Sequence, residues 1–117
     1  PEFVRLGDVS FEGGYRMGLD LLSGRERPRA VFAMSDLQAF GVIKAARQLG
    51  LRIPADVAVM GFDDIEAADY MELTTISQSL KESGRLASEL LLGRIAEPDR
   101  PLRNIQLRVS VVERSTA

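Results

Sequence analysis

Hydrophobic positions along the chain fall into two patterns, short apolar runs and longer stretches with helical spacing. Apolar residues that recur every three or four positions predict α-helices at 11–22, 36–49 and 80–95. Short runs rich in Val, Ile, Phe and Thr predict β-strands at 3–6, 30–34, 57–62, 74–76 and 105–112. Because strands and helices alternate, the sequence predicts an α/β fold with a mainly parallel sheet.

The strand patterns also predict how deeply each strand is buried. The runs at 30–34 and 57–62 are continuously apolar, which is typical of central strands covered on both faces. The run at 105–112 alternates apolar and polar residues, so one face of the strand is expected to be exposed to solvent. The strand is therefore predicted to lie near an edge of the sheet. Residues 65–70 are predicted to form a short helix or turn.

Polar residues and glycines mark the helix ends. Ser10 and Ser35 precede the first two helices and can accept a hydrogen bond from a first-turn amide. Gly50 follows the second helix and suits a C-terminal stop. Ser79 and Glu82 have the spacing of a capping box, in which each side chain satisfies a backbone amide at the start of the third helix.

The second helix carries two separate apolar regions, one around Phe40 and one around Val42. A helix with two such regions usually contacts two surfaces. The sequence therefore predicts that Phe40 packs in the core and leaves open a further contact with a second subunit.

Composition narrows the chemistry. The chain has 117 residues, no Cys, no His and a formal net charge of -2. The common general base, the thiolate nucleophile and the usual nitrogen and sulfur metal ligands are therefore missing. No basic field attracts phosphates, and no apolar run approaches the ~18 residues that cross a bilayer. We expect no enzymatic activity, no cofactor, no metal, no membrane contact and a cytoplasmic location.

Candidate binding residues follow the predicted strands. In open α/β sheets, ligands bind beyond the carboxyl ends of the parallel strands. Polar or small residues stand at these ends: Asp8, Val9, Ser35, Asp36, Asp63, Asp64, Ser77 and Gln78. Carboxylates accept hydroxyl hydrogens, and amides donate and accept beside them. Such a rim suits a small polyhydroxylated molecule, and Asp63 is its strongest candidate because it directly follows a buried strand.

Each other candidate also has a structural explanation. Ser35 can serve as an N-cap alone, and Asp36 can simply favour the positive end of the helix dipole. Asp64 can cap the following turn, Val9 can offer only packing, and Gln78 stays open between the two roles. A phosphoryl-transfer or receiver function for Asp36 or Asp63 is a weaker alternative, since Lys44 and Lys81 both fall within helices and no P-loop occurs.

Four segments together resemble the effector-binding region of lactose- and galactose-repressor-type regulators. They are GDVSFEGGY at 7–15, AVFAMSDLQAFG at 30–41, IPADVAVMGFDD at 53–64 and LTTISQ at 73–78. Each motif is moderately specific, and their order and spacing agree across nearly the whole chain. The resemblance implies one lobe, three-layered αβα, of a periplasmic-binding-protein-like fold, whose other lobe closes a cleft over a sugar or related metabolite.

The resemblance also implies roles for individual positions. Asp63 matches a ligand-contacting Asp, Gln78 matches a cleft Gln, and Ser35 stands where the family usually has a cleft-facing Asn. Val9 stands where an aromatic residue often stacks on the ligand. Regions that pair subunits correspond here to the helix of Phe40 and to the segment around Tyr70.

The implied domain organisation is a fragment. Residues 1–117 would form the C-terminal portion of an effector-binding and dimerisation domain, with the helix-turn-helix head and most of the N-terminal lobe outside it. Operator DNA would then be bound only through the absent head, and the protein would act as a homodimer. A solute-binding protein of a sugar transporter is the alternative, because it shares the fold.

Overall fold

The computed structural model describes residues 2–117, so only Pro1 of the predicted domain lies outside it. Four helices and four strands follow one another along the chain. They are α1 (Phe11–Leu22), β1 (Ala30–Phe32), α2 (Asp36–Gln48), β2 (Ala58–Asp63), α3 (Glu66–Tyr70), β3 (Thr74–Ser77), α4 (Leu80–Ala96) and β4 (Ser110–Val112). The alternation predicted from the hydrophobic pattern is confirmed, and α1 has the predicted bounds.

The strands form one sheet in the order β1-β2-β3-β4. β1, β2 and β3 are parallel, and β4 returns antiparallel to β3 with Ser110 opposite Ser77. The mainly parallel sheet and the edge position of the last strand are therefore confirmed. Because the first three strands run in the same direction, their carboxyl ends lie on one side of the sheet.

The hydrophobic core lies between α2 and the sheet. Val59 of β2 and Val57, which directly precedes β2, are both fully buried. Side chains from α1, α2, α3 and the start of β3 complete one cluster, formed by Leu22, Ala33, Ala39, Phe40, Val42, Ile43, Ala46, Val57, Val59, Ala68 and Leu73. This cluster holds the second helix on the sheet and so positions the loop that precedes it.

Glycines let α1 and α2 approach closely. A Cβ at Gly14 would overlap the backbone of Gln38, and one at Gly41 would overlap the backbone of Phe11 and Tyr15. Lys44 lies over the rings of Phe11 and Tyr15, at 5.4 and 4.6 Å from their centroids, and adds a cation–π contact across the same interface. The loop before α1 is thereby held against α2.

Residues 80–109 extend away from the compact body. None of the residues of α4 is buried, and the segment 97–109 that follows has no regular structure. The molecule is 60 Å long but only 26 and 20 Å across. Its radius of gyration of 17.9 Å exceeds the roughly 13 Å expected of a compact domain of this length. We call α4 and residues 97–109 the arm.

Three predicted strands were wrong in extent or position. Residues 3–6 form no strand. The guanidinium of Arg5 donates hydrogen bonds to the backbone carbonyls of Glu2 and Val4, which are therefore not paired with a neighbouring strand. The run at 30–34 is not central, because β1 forms the edge of the sheet and leaves Phe32 and Met34 exposed. A run of apolar residues predicts that a strand forms, but it does not predict which neighbouring elements bury its side chains.

The last strand was predicted too long. Only 110–112 pair with β3, whereas 105–109 lie in the arm beyond the end of that strand. The alternating pattern there cannot form a ladder without a neighbouring strand.

The capping box at the start of α4 was also wrong. Ser79 has φ 54°, a left-handed conformation, and its side chain makes no cap hydrogen bond. An N-cap residue normally has extended backbone. Glu82 instead pairs with Arg85 at 2.5 Å, and this hydrogen bond lowers the pKa of the Glu82 carboxyl. By contrast, Ser10 and Ser35 cap α1 and α2 as predicted, and Gly50 has φ 72°.

No helix in residues 2–117 is both long and apolar enough to cross a membrane.

Gly14→Ala is expected to destabilise the fold by about 1–3 kcal/mol, because the added methyl group overlaps the Gln38 backbone in a packed interface. Gly84→Ala is the matched control, since Gly84 lies on exposed α4 with open space around it. Urea unfolding followed by circular dichroism measures both. Equal stability of the two variants would contradict close packing of α1 on α2.

Candidate functional site

Two of the predicted binding residues are in direct contact. Asp63 is the last residue of β2 and lies opposite Ser77, the last residue of β3. Gln78 follows at once, and its Nε2 donates to Asp63 Oδ1 at 2.5 Å. The parallel register of β2 and β3 therefore brings together a carboxylate and an amide that are fifteen positions apart in sequence.

Asp63 and Ser77 border an open groove. Gln78 is joined to this groove through its hydrogen bond to Asp63. The groove has a volume of about 790 Å³ and is lined from the sheet by Asp63, Asp64 and Ser77. The start of α4 forms the opposite wall, with Ser79, Leu80, Lys81, Glu82 and Arg85. The site thus lies where the chain leaves the sheet for the arm.

The backbone at the end of β2 is unusual. Asp63 has φ 114° and Asp64 has φ 56°, both in a region that residues with a Cβ seldom occupy. Such a conformation costs on the order of 1–3 kcal/mol per residue and persists only when surrounding contacts hold it. It turns the chain sharply beyond the strand, and the two carboxylates make contacts with different partners.

Asp36 lies beneath the site. It has 0% exposure, and its two carboxylate oxygens accept hydrogen bonds from the Thr75 hydroxyl at 2.5 Å and the Ile65 amide at 2.9 Å. A Cβ at Gly61 would overlap the Asp36 side chain. The sequence placed Asp36 among the ligand-binding candidates, but its two oxygens bind β3 and the loop before α3. These contacts support a structural role for Asp36, and its contact with a ligand stays a prediction.

The other two rim candidates differ in exposure. The Ser35 side chain is buried and its oxygen accepts from the Gln38 amide at 3.2 Å, so the residue caps α2. Val9 is 68% exposed, and its loop is tied to α2 because Gln38 Nε2 donates to the Asp8 carbonyl at 3.1 Å. Neither side chain is among those lining the groove beside Asp63.

The two predicted subunit-contact residues are placed very differently. Phe40 is only 8% exposed and belongs to the hydrophobic core, so the core prediction for it is confirmed. Tyr70 ends α3 with 79% of its surface exposed, and the neighbouring Met71 is also exposed. Of the two, Tyr70 has the free surface that a partner could cover.

Arg114 is a residue that sequence reasoning missed. Its Nη2 donates to Asp64 Oδ1 at 3.0 Å, its Nη1 donates to the Leu73 carbonyl at 2.8 Å, and its Nε lies 3.4 Å from Asp69 Oδ1. Nothing in its local pattern marks it, because it follows the last strand among charged and small residues. The one signal in the sequence was the pair of acidic residues at 63–64, because adjacent carboxylates are stabilised by a nearby positive charge.

The arrangement is suited to binding polar, uncharged groups. A carboxylate oxygen and an amide group stand side by side at an open edge, where they can accept and donate hydrogen bonds to hydroxyls. Among residues 2–117, no cluster of acidic side chains has the grouping of a metal site.

Asp36→Ala is expected to cost about 2–4 kcal/mol of stability, because it strands the Thr75 hydroxyl and the Ile65 amide without their acceptor. Asp8→Ala is the matched control: its side chain is exposed, with only a 3.5 Å contact to Arg16, and should change stability by less than about 0.5 kcal/mol. Thermal and urea unfolding measure both variants. Similar losses in the two would show that the buried carboxylate does not support the lobe.

Comparison with known proteins places this geometry in a family. Residues 3–117 match the periplasmic binding protein-like domain. The chain is 43% identical over 113 residues to the ribose operon repressor of Escherichia coli K12, covering 95% of this chain and 34% of the repressor. It is 38% identical over 115 residues to the HTH-type transcriptional repressor PurR of Proteus mirabilis, covering 97% of this chain and 34% of that protein.

A solved structure agrees with the fold. A LacI family transcriptional regulator from Enterococcus faecium with bound ribose superimposes with a TM-score of 0.86 at 33% identity, over 93% of this chain and 41% of that chain. The chain spans about one third of the length of the curated relatives it matches, at 34%. The predicted α/β lobe and the resemblance are confirmed. The chain belongs to the periplasmic binding protein-like domain family, in the form found in LacI-type transcriptional regulators.

Proposed function

We propose that the chain is the effector-sensing and dimerisation portion of a LacI-type transcription repressor that responds to a small sugar. The single observation that carries the proposal is the Asp63–Gln78 pair at the open edge of the sheet, in a chain 43% identical to a ribose operon repressor. A second curated relative is also a transcriptional repressor. These relatives favour a repressor over the solute-binding protein of a transporter, and they favour a non-catalytic role.

The proposed domain organisation is that of a C-terminal portion, residues 1–117. The arm supports it, because Leu91, Leu92 and Ile95 of α4 are largely exposed and have no cover within the described chain. A second lobe packed on the arm would bury these side chains and close the groove. A DNA-binding head outside this portion would contact the operator, in keeping with the net charge of -2.

A pentose such as ribose is the first candidate effector. The ribose-bound Enterococcus structure and the ribose operon repressor both point to this class of ligand. In the proposed complex, Asp63 accepts hydrogen bonds from sugar hydroxyls and Gln78 donates or accepts beside it. Ser35 and Val9 form the more distant part of the rim, where Val9 offers packing. Asp36 supports the site from below.

The proposed mechanism is lobe closure coupled to DNA binding. The effector binds one arrangement of the lobes more tightly than the other, and this difference changes the relative position of two DNA-binding heads in a dimer. Allosteric coupling of this kind is typically about 1–3 kcal/mol. The protein would act in the cytoplasm, where operator DNA is found.

Ribose is expected to shift amide resonances around Asp63 and Gln78 in this chain only weakly, with a Kd of about 1 mM or higher, because one wall of the cleft is absent. Asp63→Ala should weaken this response at least tenfold through loss of charge-assisted hydrogen bonds. Asp99→Ala, an exposed change in the arm, is the control. Wild-type affinity in Asp63→Ala would contradict the assignment, and D-glucose titrated in parallel tests the choice of a pentose.

Tyr70→Asp is expected to convert a dimer into a folded monomer, because it places a charge on an exposed side chain at the proposed subunit contact. Sedimentation equilibrium measures the mass, and circular dichroism confirms the fold. Phe40→Asp serves as the contrast: it buries a charge in the core and should unfold the chain rather than only dissociate it. A Tyr70→Asp variant that remains dimeric would place the interface elsewhere.

A further inference from the structure

The residues that follow β4 are built into the lobe beneath the candidate site. The Val59 amide donates to the Thr116 carbonyl at 2.7 Å, and the Thr74 amide donates to the Thr116 hydroxyl at 2.9 Å. The Ser115 amide donates to the Glu72 carbonyl at 3.0 Å. These bonds tie the end of the chain to β2 and to the start of β3, so Arg114 is held at a defined place between them.

Arg114 reaches the unusual turn from this position. Its side chain is only 14% exposed, and its planar group donates to the Asp64 carboxylate and to the Leu73 carbonyl at the same time. A guanidinium presents its donors in a rigid fork, so two such bonds fix both its own orientation and that of its partners. Asp64 lines the groove, and its carboxylate is held there by the guanidinium of Arg114.

The turn needs such a partner. Asp63 and Asp64 both have positive φ, which a Cβ disfavours and which surrounding contacts must maintain. Gln78 holds the side chain of Asp63, and Arg114 holds that of Asp64. If the Arg114 contact is lost, the turn can relax towards ordinary backbone angles, and the Asp63 carboxylate then rotates with it.

We propose that Arg114 is a positioning residue for the effector site: by holding Asp64, it keeps the Asp63–Asp64 turn in its left-handed conformation and aims the Asp63 carboxylate at Gln78 and the groove. The proposal rests on the proposed function for its link to sugar binding. Ser110 of β4 pairs with Ser77, the residue before Gln78. The C-terminal segment that carries β4 and Arg114 therefore helps to position both Gln78 and the Asp63–Asp64 turn. Arg114 itself does not contact the effector.

The test uses Arg114→Gln and Asp64→Asn, alone and combined, with Asp69→Asn as the matched control. Asp69 contacts the same guanidinium through Nε at 3.4 Å but is not part of the turn. Two readouts are taken on this chain by nuclear magnetic resonance. One is the Gln78 side-chain amide signal, which reports its bond to Asp63, and the other is the affinity for D-ribose.

Arg114→Gln and Asp64→Asn are each expected to move the Gln78 signal towards that of a free side chain. Each should also weaken ribose binding about tenfold, by analogy with metal sites, where removing a group that orients a ligand costs on the order of tenfold or more. The double variant should be no weaker than the worse single variant, because the two residues act on one path. Asp69→Asn should keep both readouts at wild-type values.

Several results would overturn the proposal. One is an unchanged Gln78 signal in Arg114→Gln, and another is an Asp69→Asn variant that loses as much affinity, since the effect would then be a general loss of lobe stability. If wild type does not respond to ribose but Arg114→Gln still moves the Gln78 signal, the proposed ligand fails and the positioning role stands. If Arg114→Gln does not fold, Arg114→Lys, which keeps the charge without the fork, gives the same comparison.

Discussion

The buried carboxylate of Asp36 is the interaction on which the rest of the lobe depends. It joins the start of α2 to β3 through Thr75 and to the loop before α3 through Ile65. A buried charge is costly unless hydrogen bonds satisfy it, so these partners and their spacing are constrained together. The side chain also requires Gly61 on β2, where any Cβ would overlap it. Helix, sheet and site loop are thus held in one geometry.

The candidate site is supported by this framework, but its own backbone is strained. Asp63 and Asp64 adopt backbone angles that their own side chains disfavour, and each carboxylate is held by a different partner. Strain maintained by surrounding contacts is common where a side chain must be aimed at a ligand. Here the surrounding contacts come from Gln78 and Arg114, which lie fifteen and fifty positions along the chain from their partners Asp63 and Asp64.

The body of the lobe, which is the sheet with α1, α2 and α3, differs from the arm in how its apolar side chains are covered. The body closes around one hydrophobic cluster, whereas α4 has an apolar stripe with no buried residue. An amphipathic helix gains most of its stability by covering such a stripe. The exposed Leu91, Leu92 and Ile95 therefore agree with a chain that spans about one third of its curated relatives, at 34%. The groove beside Asp63 lies where body and arm meet.

The fold class, the caps at Ser10 and Ser35, and Asp63 with Gln78 as candidates could be predicted from the sequence, because helical periodicity, capping chemistry and strand ends are local properties. The order of the elements could be predicted as well, except for the strand expected at 3–6. The complete burial of Asp36, the edge position of β1 and the bond from Arg114 to Asp64 became visible only in the folded chain. Those features depend on neighbours supplied by remote segments, such as the forty-one positions between Leu73 and Arg114. No local pattern encodes a contact of that span.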